Sequence, residues 1–305
     1  MGIIYCYHDM LAWGPELAAN IQRLNGSAQM MTHAVQVEDE VGTGAFIHVS
    51  NRERQYTQEL AAEIGEKHNV LMVPSAREIA LHDDFNAQYA EFGQWMPTTF
   101  VLHSLEHAQQ HINDLEYPVI SLPTRSVMQN RRVLENPEQA FLEAVHLFGE
   151  NGLQLADGST QKGYAIWQPM ARHIGVRWQV FMLGKRYAVI TEIPTGADPS
   201  VPGAEFTMVD TMNAGYTALL DYVHRFVTDN DLDWACVEVL PYESGQDGMS
   251  QPFVVGYAVS WPMAWFEFGG MIFESGDGKA WDSTGIPAVK IWNVVAEWMM
   301  GKLGV

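Results

Sequence analysis

Little in this sequence is basic. Seventeen lysines and arginines stand against 37 aspartates and glutamates, a formal charge of −20 over 305 residues. The deficit runs the length of the chain, 20 acids to 8 bases in residues 1–150 and 17 to 9 in the remainder, so no acidic tail accounts for it. A body this negative repels phosphate backbones and argues against direct nucleic-acid binding. Solvation is the ordinary use of such a surface, and mimicry of a nucleic acid is the other. Cysteine is scarcer still. Cys6 and Cys236 are too few for a disulfide framework or a cysteine-rich metal site. Each lies in an apolar run, Ile3-Ile4-Tyr5-Cys6-Tyr7 and Trp234-Ala235-Cys236-Val237, where a free cysteine is a small buried hydrophobe. Long hydrophobic runs are missing too, because acids interrupt every window that could cross a bilayer. The expectation is no signal peptide, no membrane span and a reducing, cytoplasmic location.

What is present is core-forming material. Apolar residues make up 47% of the chain and charged ones 18%, which excludes general disorder. Short apolar runs at Ile3–Tyr7, Ala45–Val49 and Val70–Val73 alternate with helical patterns after Gly14-Pro15 and over Gln55–Lys67. That alternation predicts a parallel sheet flanked by helices. One helix is expected from Ala76 to Phe92. A strand then follows at Phe100–Leu102, a helix capped by Ser104, a strand at Pro118–Leu122, and a helix opened by Asn136-Pro137. Gly149–Gly163 reads as a loop. Beyond it strands dominate: Tyr164–Gln168, then Val176–Leu183 and Arg186–Glu192 joined by a Gly184-Lys185 hairpin, then Trp234–Leu240 and Phe253–Val259. A helix at Ala214–Thr228 interrupts them, and a last one is expected to open at Pro287 and stop at Gly301.

Several clusters invite chemistry. His103, His107 and His111 follow helical spacing with Asp114 nearby, but they fall opposite Leu105, Ala108 and Ile112, on a solvated face. Asp229-Asn230-Asp231-Leu232-Asp233 begins like a calcium loop yet has Trp234 where the glycine belongs and Leu240 where the glutamate belongs. Gly42-Thr43-Gly44 lacks a third glycine, and neither a P-loop nor a Gly-x-Ser-x-Gly elbow occurs. Arg125, Arg131 and Arg132 form the one basic cluster of the first half. They could present guanidinium forks to phosphate or carboxylate, or pair with the protein's own acids. Trp261, Trp265, Phe266 and Phe268 beside Gly269-Gly270 could line a groove or pack between lobes.

The order of these elements resembles the ATP-grasp superfamily over roughly residues 1 to 300. Val73-Pro74-Ser75, a helix, and Met96-Pro97-Thr98-Thr99-Phe100-Val101-Leu102 followed by Ser104 are similar to the family's "pS" turn and "iPtP-t-vl-s" stretch. Tyr117-Pro118-Val119-Ile120-Ser121-Leu122-Pro123 resembles "fPvVvKP", and Ala165-Ile166-Trp167-Gln168 resembles the hinge strand. Arg177 resembles the arginine of "R-v-v-g-g", and Cys236-Val237-Glu238-Val239-Leu240 resembles "g-v-D-v-l". The resemblance implies α/β and α+β architecture: an N-terminal parallel-sheet domain (1–95), a small central lobe (96–163) and a C-terminal lobe (164–305). It also implies carboxylate–amine ligation through an acyl-phosphate, with ATP and magnesium as cofactors.

The departures count against that chemistry. The family's two phosphate-holding lysines fall at Asp84 and Leu122, and the loop 124–132 contains no glycine. Aligned on Pro262, the metal-binding "E-x-N" falls at Tyr257 and Val259, leaving Glu238 as the one acidic ligand candidate. The sequence therefore leads to an ATP-grasp-like protein that has lost ligase chemistry and acts by binding, as a regulatory, scaffolding or assembly subunit. On this reading no cofactor is expected, and the partner is a protein or a second copy. Arg125, Arg131, Arg132, Gln168 and Arg177 are the ligand-binding candidates. The competing readings are a divergent ligase using Arg177 and Glu238, with ATP and magnesium, and an acidic structural or decoy protein.

Overall fold

The computed structural model describes residues 2–7, 13–49, 54–82, 84–122, 132–154, 160–169, 176–194, 206–243, 250–260 and 268–304. The first sheet is parallel, in the order β2-β1-β3-β4, from β1 (Ile3–Tyr7), β2 (Ser27–Met31), β3 (Thr43–Phe46) and β4 (Val70–Val73). β1 and β3 are its central strands, and their near-continuous apolar sequence is what a parallel strand covered on both faces requires. β2 has no apolar alternation to announce it. It is an edge strand held in place by β1. Helix α1 (Trp13–Arg23) buries Leu17, Ala18 and Ile21, and α2 (Arg54–Gly65) buries Leu60, Ala61 and Ile64, the spacing of one helical face.

The stretch expected to be a single helix to Phe92 is two, α3 (Ala76–Leu81) and α4 (Phe85–Phe92). Ser75 caps α3 reciprocally: its Oγ accepts from Glu78 N at 3.2 Å, and Glu78 Oε2 accepts from Ser75 N at 2.6 Å. Asp84 Oδ1 then accepts from Ala87 N at 3.0 Å. The side chain that competes with helix continuation starts the new helix instead.

The second sheet, β5-β10-β6-β7, is antiparallel throughout, from β5 (Phe100–Leu102), β6 (Val119–Leu122), β7 (Arg132–Leu134) and β10 (Ala165–Pro169). Helices α5 (Leu105–His111) and α6 (Pro137–Phe148) start at Ser104 and Asn136 as expected, each cap accepting from the backbone N–H three residues on. The expected loop before residue 163 carries a short ladder, β8 (Leu153–Gln154) with β9 (Thr160–Gln161). This lobe has its own core, centred on Leu102, Val119, Ala144, Leu147 and Trp167.

The third sheet runs β15-β14-β11-β12-β16-β17. Its hairpin β11 (Val176–Leu183) to β12 (Tyr187–Pro194) turns at Gly184 and Lys185, with φ of 59° and 58°. That left-handed pair matches the twist of the strands. β13 (Thr207–Met208) adds to β12; α7 (Ala214–Asp229) precedes β14 (Trp234–Glu243) and β15 (Ser250–Ala258). The last helix does not open at Pro287, which ends β17 (Asp282–Pro287) after β16 (Met271–Glu274). A 3-10 turn leads into α8 (Ile291–Leu303), which runs past Gly301 to a left-handed cap at Gly304.

α8 returns to pack on α1 and β3, so the first and third sheets share one large core. Phe46 of β3 meets Trp234 and Trp292 edge-on at 5.5 and 5.7 Å. Among the described residues, no helix is long and apolar enough to cross a membrane.

Candidate functional site

The third sheet presents one polar row. Antiparallel partners share a face, and the register Thr191–Gln179–Glu238–Gly256 crosses four strands. Arg177, two residues before Gln179, joins that face and places Nη1 3.2 Å from Glu238 Oε1. Both side chains are about nine-tenths buried (12% and 10% exposed), so this is an interior ion pair. Gln179 Oε1 is buried there without a hydrogen-bond partner. A bulge between Glu238 and Val239 shifts the pairing to β15 at this point.

The bulge corrects the expected metal register. Tyr257 pairs with Val237, not Glu238, and its ring lies 5.6 Å from Phe92 on the opposite face of the sheet. Its hydroxyl donates to Trp234 O at 3.0 Å, and burial pushes its pKa well above the usual phenol range. Val259 is buried beyond the end of β15 and accepts, through its carbonyl, from Trp234 Nε1 at 2.8 Å. Neither residue is a vacated ligand position. The β15 residues nearest Glu238 on its face are Gly256, Ala258 and, across the bulge, Phe253, and none carries a side-chain oxygen.

A second polar knot lies inside the central lobe. Glu143 on α6, buried, accepts at Oε1 from Trp167 Nε1 at 3.3 Å and from the Ser121 hydroxyl. Its Oε2 meets Arg132 Nη2 at 3.3 Å. Burial lowers the Arg132 guanidinium from its ordinary value while Glu143 opposes the shift. The structure thus spends Arg132, a ligand-binding candidate, on an interior partner. Arg125 and Arg131 lie outside the described residues, as do Trp261, Trp265 and Phe266.

The remaining candidates are also occupied. Leu122 is 4% exposed and Ile166, its partner on β10, is fully buried; both join the large core. Gln168 Nε2 donates to Thr99 Oγ1 at 2.7 Å across β10 and β5. Asp84 caps α4. His107 and His111 meet edge-on at 5.0 Å, and no cluster of three metal-ligating side chains exists among the described residues. Asp231 and Asp233 pair with Lys185 and Lys302 at 2.7 and 3.1 Å.

Three residues that sequence reasoning passed over tie α3 and α4 to the third sheet. Glu78 Oε1 accepts from Asp233 N and Trp234 N at 2.7 and 2.8 Å. Gln88 donates to Tyr257 O at 2.7 Å and accepts from Tyr257 N at 3.1 Å. His82 Nδ1 accepts from Val259 N at 3.3 Å. Helical spacing held the signal for Gln88, which shares a face with Phe85 and Phe92, both buried.

No family model matches the sequence, and no curated protein does. Solved structures match along the whole chain. A RimK domain ATP-grasp protein from Sphaerobacter thermophilus is 15% identical with a TM-score of 0.54, covering 99% of this chain and 100% of its own. The macrocyclase MdnC from Microcystis aeruginosa, bound with precursor peptide MdnA, is 8% identical with a TM-score of 0.62, covering 98% and 99%. D-alanine–D-alanine ligase from Bacillus anthracis is 12% identical with a TM-score of 0.59, covering 99% and 98%. The fold of this protein is the ATP-grasp fold, a parallel-sheet unit followed by two antiparallel-sheet lobes.

ATP and magnesium, which that fold implies, do not fit the described residues. Phosphate would need free cations where Leu122 is buried and Arg132 is held by Glu143. Magnesium would need hard oxygens beside Glu238, where Gly256 and Ala258 offer none and Arg177 already holds the carboxylate.

Proposed function

We propose that this ATP-grasp-fold protein acts by binding rather than by ATP-dependent ligation. The observation that carries the reading is the internal pairing of its charges: Arg177 with Glu238, and Arg132 with Glu143. Phosphoryl transfer is mainly positioning and charge stabilisation, so cations committed to interior acids leave little to stabilise a transferring phosphoryl group. The partner we infer is a polypeptide, and the protein a regulatory, scaffolding or assembly subunit. Support for a peptide comes from the fold: MdnC is bound with a precursor peptide, and a ligase from Chryseobacterium gregarium is in complex with ADP and a leader and core peptide.

Full-length likeness to ligases favours one other reading, a divergent carboxylate–amine ligase in which Arg125 and Arg131 supply the missing charge. Thermal unfolding with ATP and magnesium separates the two. A ligand at a hundred times its dissociation constant stabilises by about 2.7 kcal/mol. The binding reading expects no stabilisation by ATP–magnesium up to millimolar concentration. A clear stabilisation, with ADP released when amines and carboxylates are supplied, establishes the ligase instead.

A further inference from the structure

A cavity of about 350 Å³ opens where the Pro97 and Pro169 ends of the central sheet meet β15. Its walls are Pro97, Phe100, Pro169 and Phe253, and Asp114 and Glu116 stand at one side of it, with the Thr98 backbone between Pro97 and Thr99. The volume falls in the range of small-ligand sites. The walls are built, not incidental. Gln168 Nε2 donates to Thr99 Oγ1 at 2.7 Å, and Thr99 Oγ1 donates to Pro97 O at 2.8 Å, which fixes the β5 and β10 ends that carry Pro97 and Pro169. Leu115, between the two acids, is buried in the central core and holds their backbone.

Asp114 and Glu116 have no side-chain hydrogen bond or ion pair with any described residue. They differ in this from Glu143, Glu238 and Glu78, whose carboxylates are all paired or hydrogen-bonded. Two unengaged carboxylates beside aromatic and prolyl walls match one ligand chemistry: a cation carried on an apolar stem. The stem packs on Phe100, Phe253 and the prolines, and the charged head meets the acids.

We propose that this cavity binds a guanidinium or alkylammonium group, either a basic side chain of a polypeptide or a free polyamine. Phe253 pairs with Leu240, two residues after Glu238 on β14, and so shares a face of the third sheet with it; the prolines, Phe100 and both acids come from the central lobe. The field of a −20 protein favours the approach of such a cation.

The test is calorimetric titration of the full chain with N-acetyl-arginine amide, N-acetyl-lysine amide, spermidine and the neutral N-acetyl-citrulline amide. Expected is binding of at least one cation, weakened about tenfold or more in Asp114→Asn/Glu116→Gln and in Phe253→Ala. A control, Glu106→Gln/Asp282→Asn, removes the same two charges elsewhere and should bind like the parent. Preference for the amino-acid amides supports a polypeptide source, and preference for spermidine supports a polyamine. No cation binding at millimolar concentration overturns the proposal. So does citrulline binding as well as arginine, or equal weakening in the control. Near-UV circular dichroism of each variant checks that the fold persists, and if Phe253→Ala fails that check the two acid substitutions alone decide.

Discussion

Glu78 and Glu143 are both carboxylates in apolar surroundings, and the molecule treats them differently. Glu78 lies where the N-terminal unit meets the third sheet and accepts from the backbone N–H groups of Ser75, Asp233 and Trp234. Glu143 lies inside the central lobe and takes side-chain donors, the Arg132 guanidinium, the Trp167 indole and the Ser121 hydroxyl. The first ties two stretches of main chain more than 150 residues apart. The second braces one lobe against itself. The first and third sheets thus share a core and polar staples, while the second keeps a core of its own on one face and gives Leu122 and Ile166 to the shared core on the other.

The largest effect should come from the central brace. Glu143→Ala leaves the half-buried Arg132 charge without its partner and the buried Trp167 indole N–H and Ser121 hydroxyl without an acceptor, a loss of about 3–5 kcal/mol. Hydrogen exchange should then rise through 100–169 and stay low in the first and third sheets. Exchange rising equally in all three would show a single cooperative body and break the comparison.

Next is the staple between bodies of sequence far apart. Gln88→Leu leaves Tyr257 N, Tyr257 O and Leu81 O without their partner, costing about 2–4 kcal/mol. Protection should fall in α4 and β15 together, although they are adjacent only in space. Loss confined to α4 would mean that the staple contributes nothing to the shared core.

These two residues also show where sequence reading ends. Caps and turns were legible because their chemistry is local: Ser104, Asn136-Pro137 and Gly184-Lys185 each act within a few residues. The ATP-grasp order of elements was legible because apolar runs record strand order. The face of Tyr257 was not, because one bulge at Glu238 inverts inside and outside on β15 and leaves no mark in composition. Edge strands β2 and β7 were missed for want of an apolar pattern. Glu143 and Glu78 look like solvated helix residues until the partner strand is known, although Glu143 shares its helical face with Ala140, Ala144 and Leu147.

The Arg177–Glu238 pair should matter less than either, and its behaviour sharpens the binding reading. Arg177→Met alone leaves Glu238 buried without its cation and should cost about 2 kcal/mol; the double variant Arg177→Met/Glu238→Leu should recover most of that. Recovery marks the pair as an interior contact whose removal is structurally tolerated. If the double variant is as unstable as the single, other groups on that face depend on the charges, and the row is a preformed site.

The smallest effect is a slope rather than a loss. Burial raises the Glu78 carboxyl above its ordinary 4.5, against the lowering pull of the N–H groups of Trp234 and Ser75. A group whose folded value is raised contributes stability fully below the unfolded value and loses that contribution as pH climbs through the folded one. Glu78→Gln cannot titrate, and its donor amide facing Ser75 N adds an offset that does not vary with pH. The parent should therefore lose ground relative to the variant as pH rises above the ordinary 4.5, measured by urea unfolding at each pH. A difference that grows in the parent's favour as pH rises would mean that the three backbone N–H groups outweigh burial and hold Glu78 as an anion.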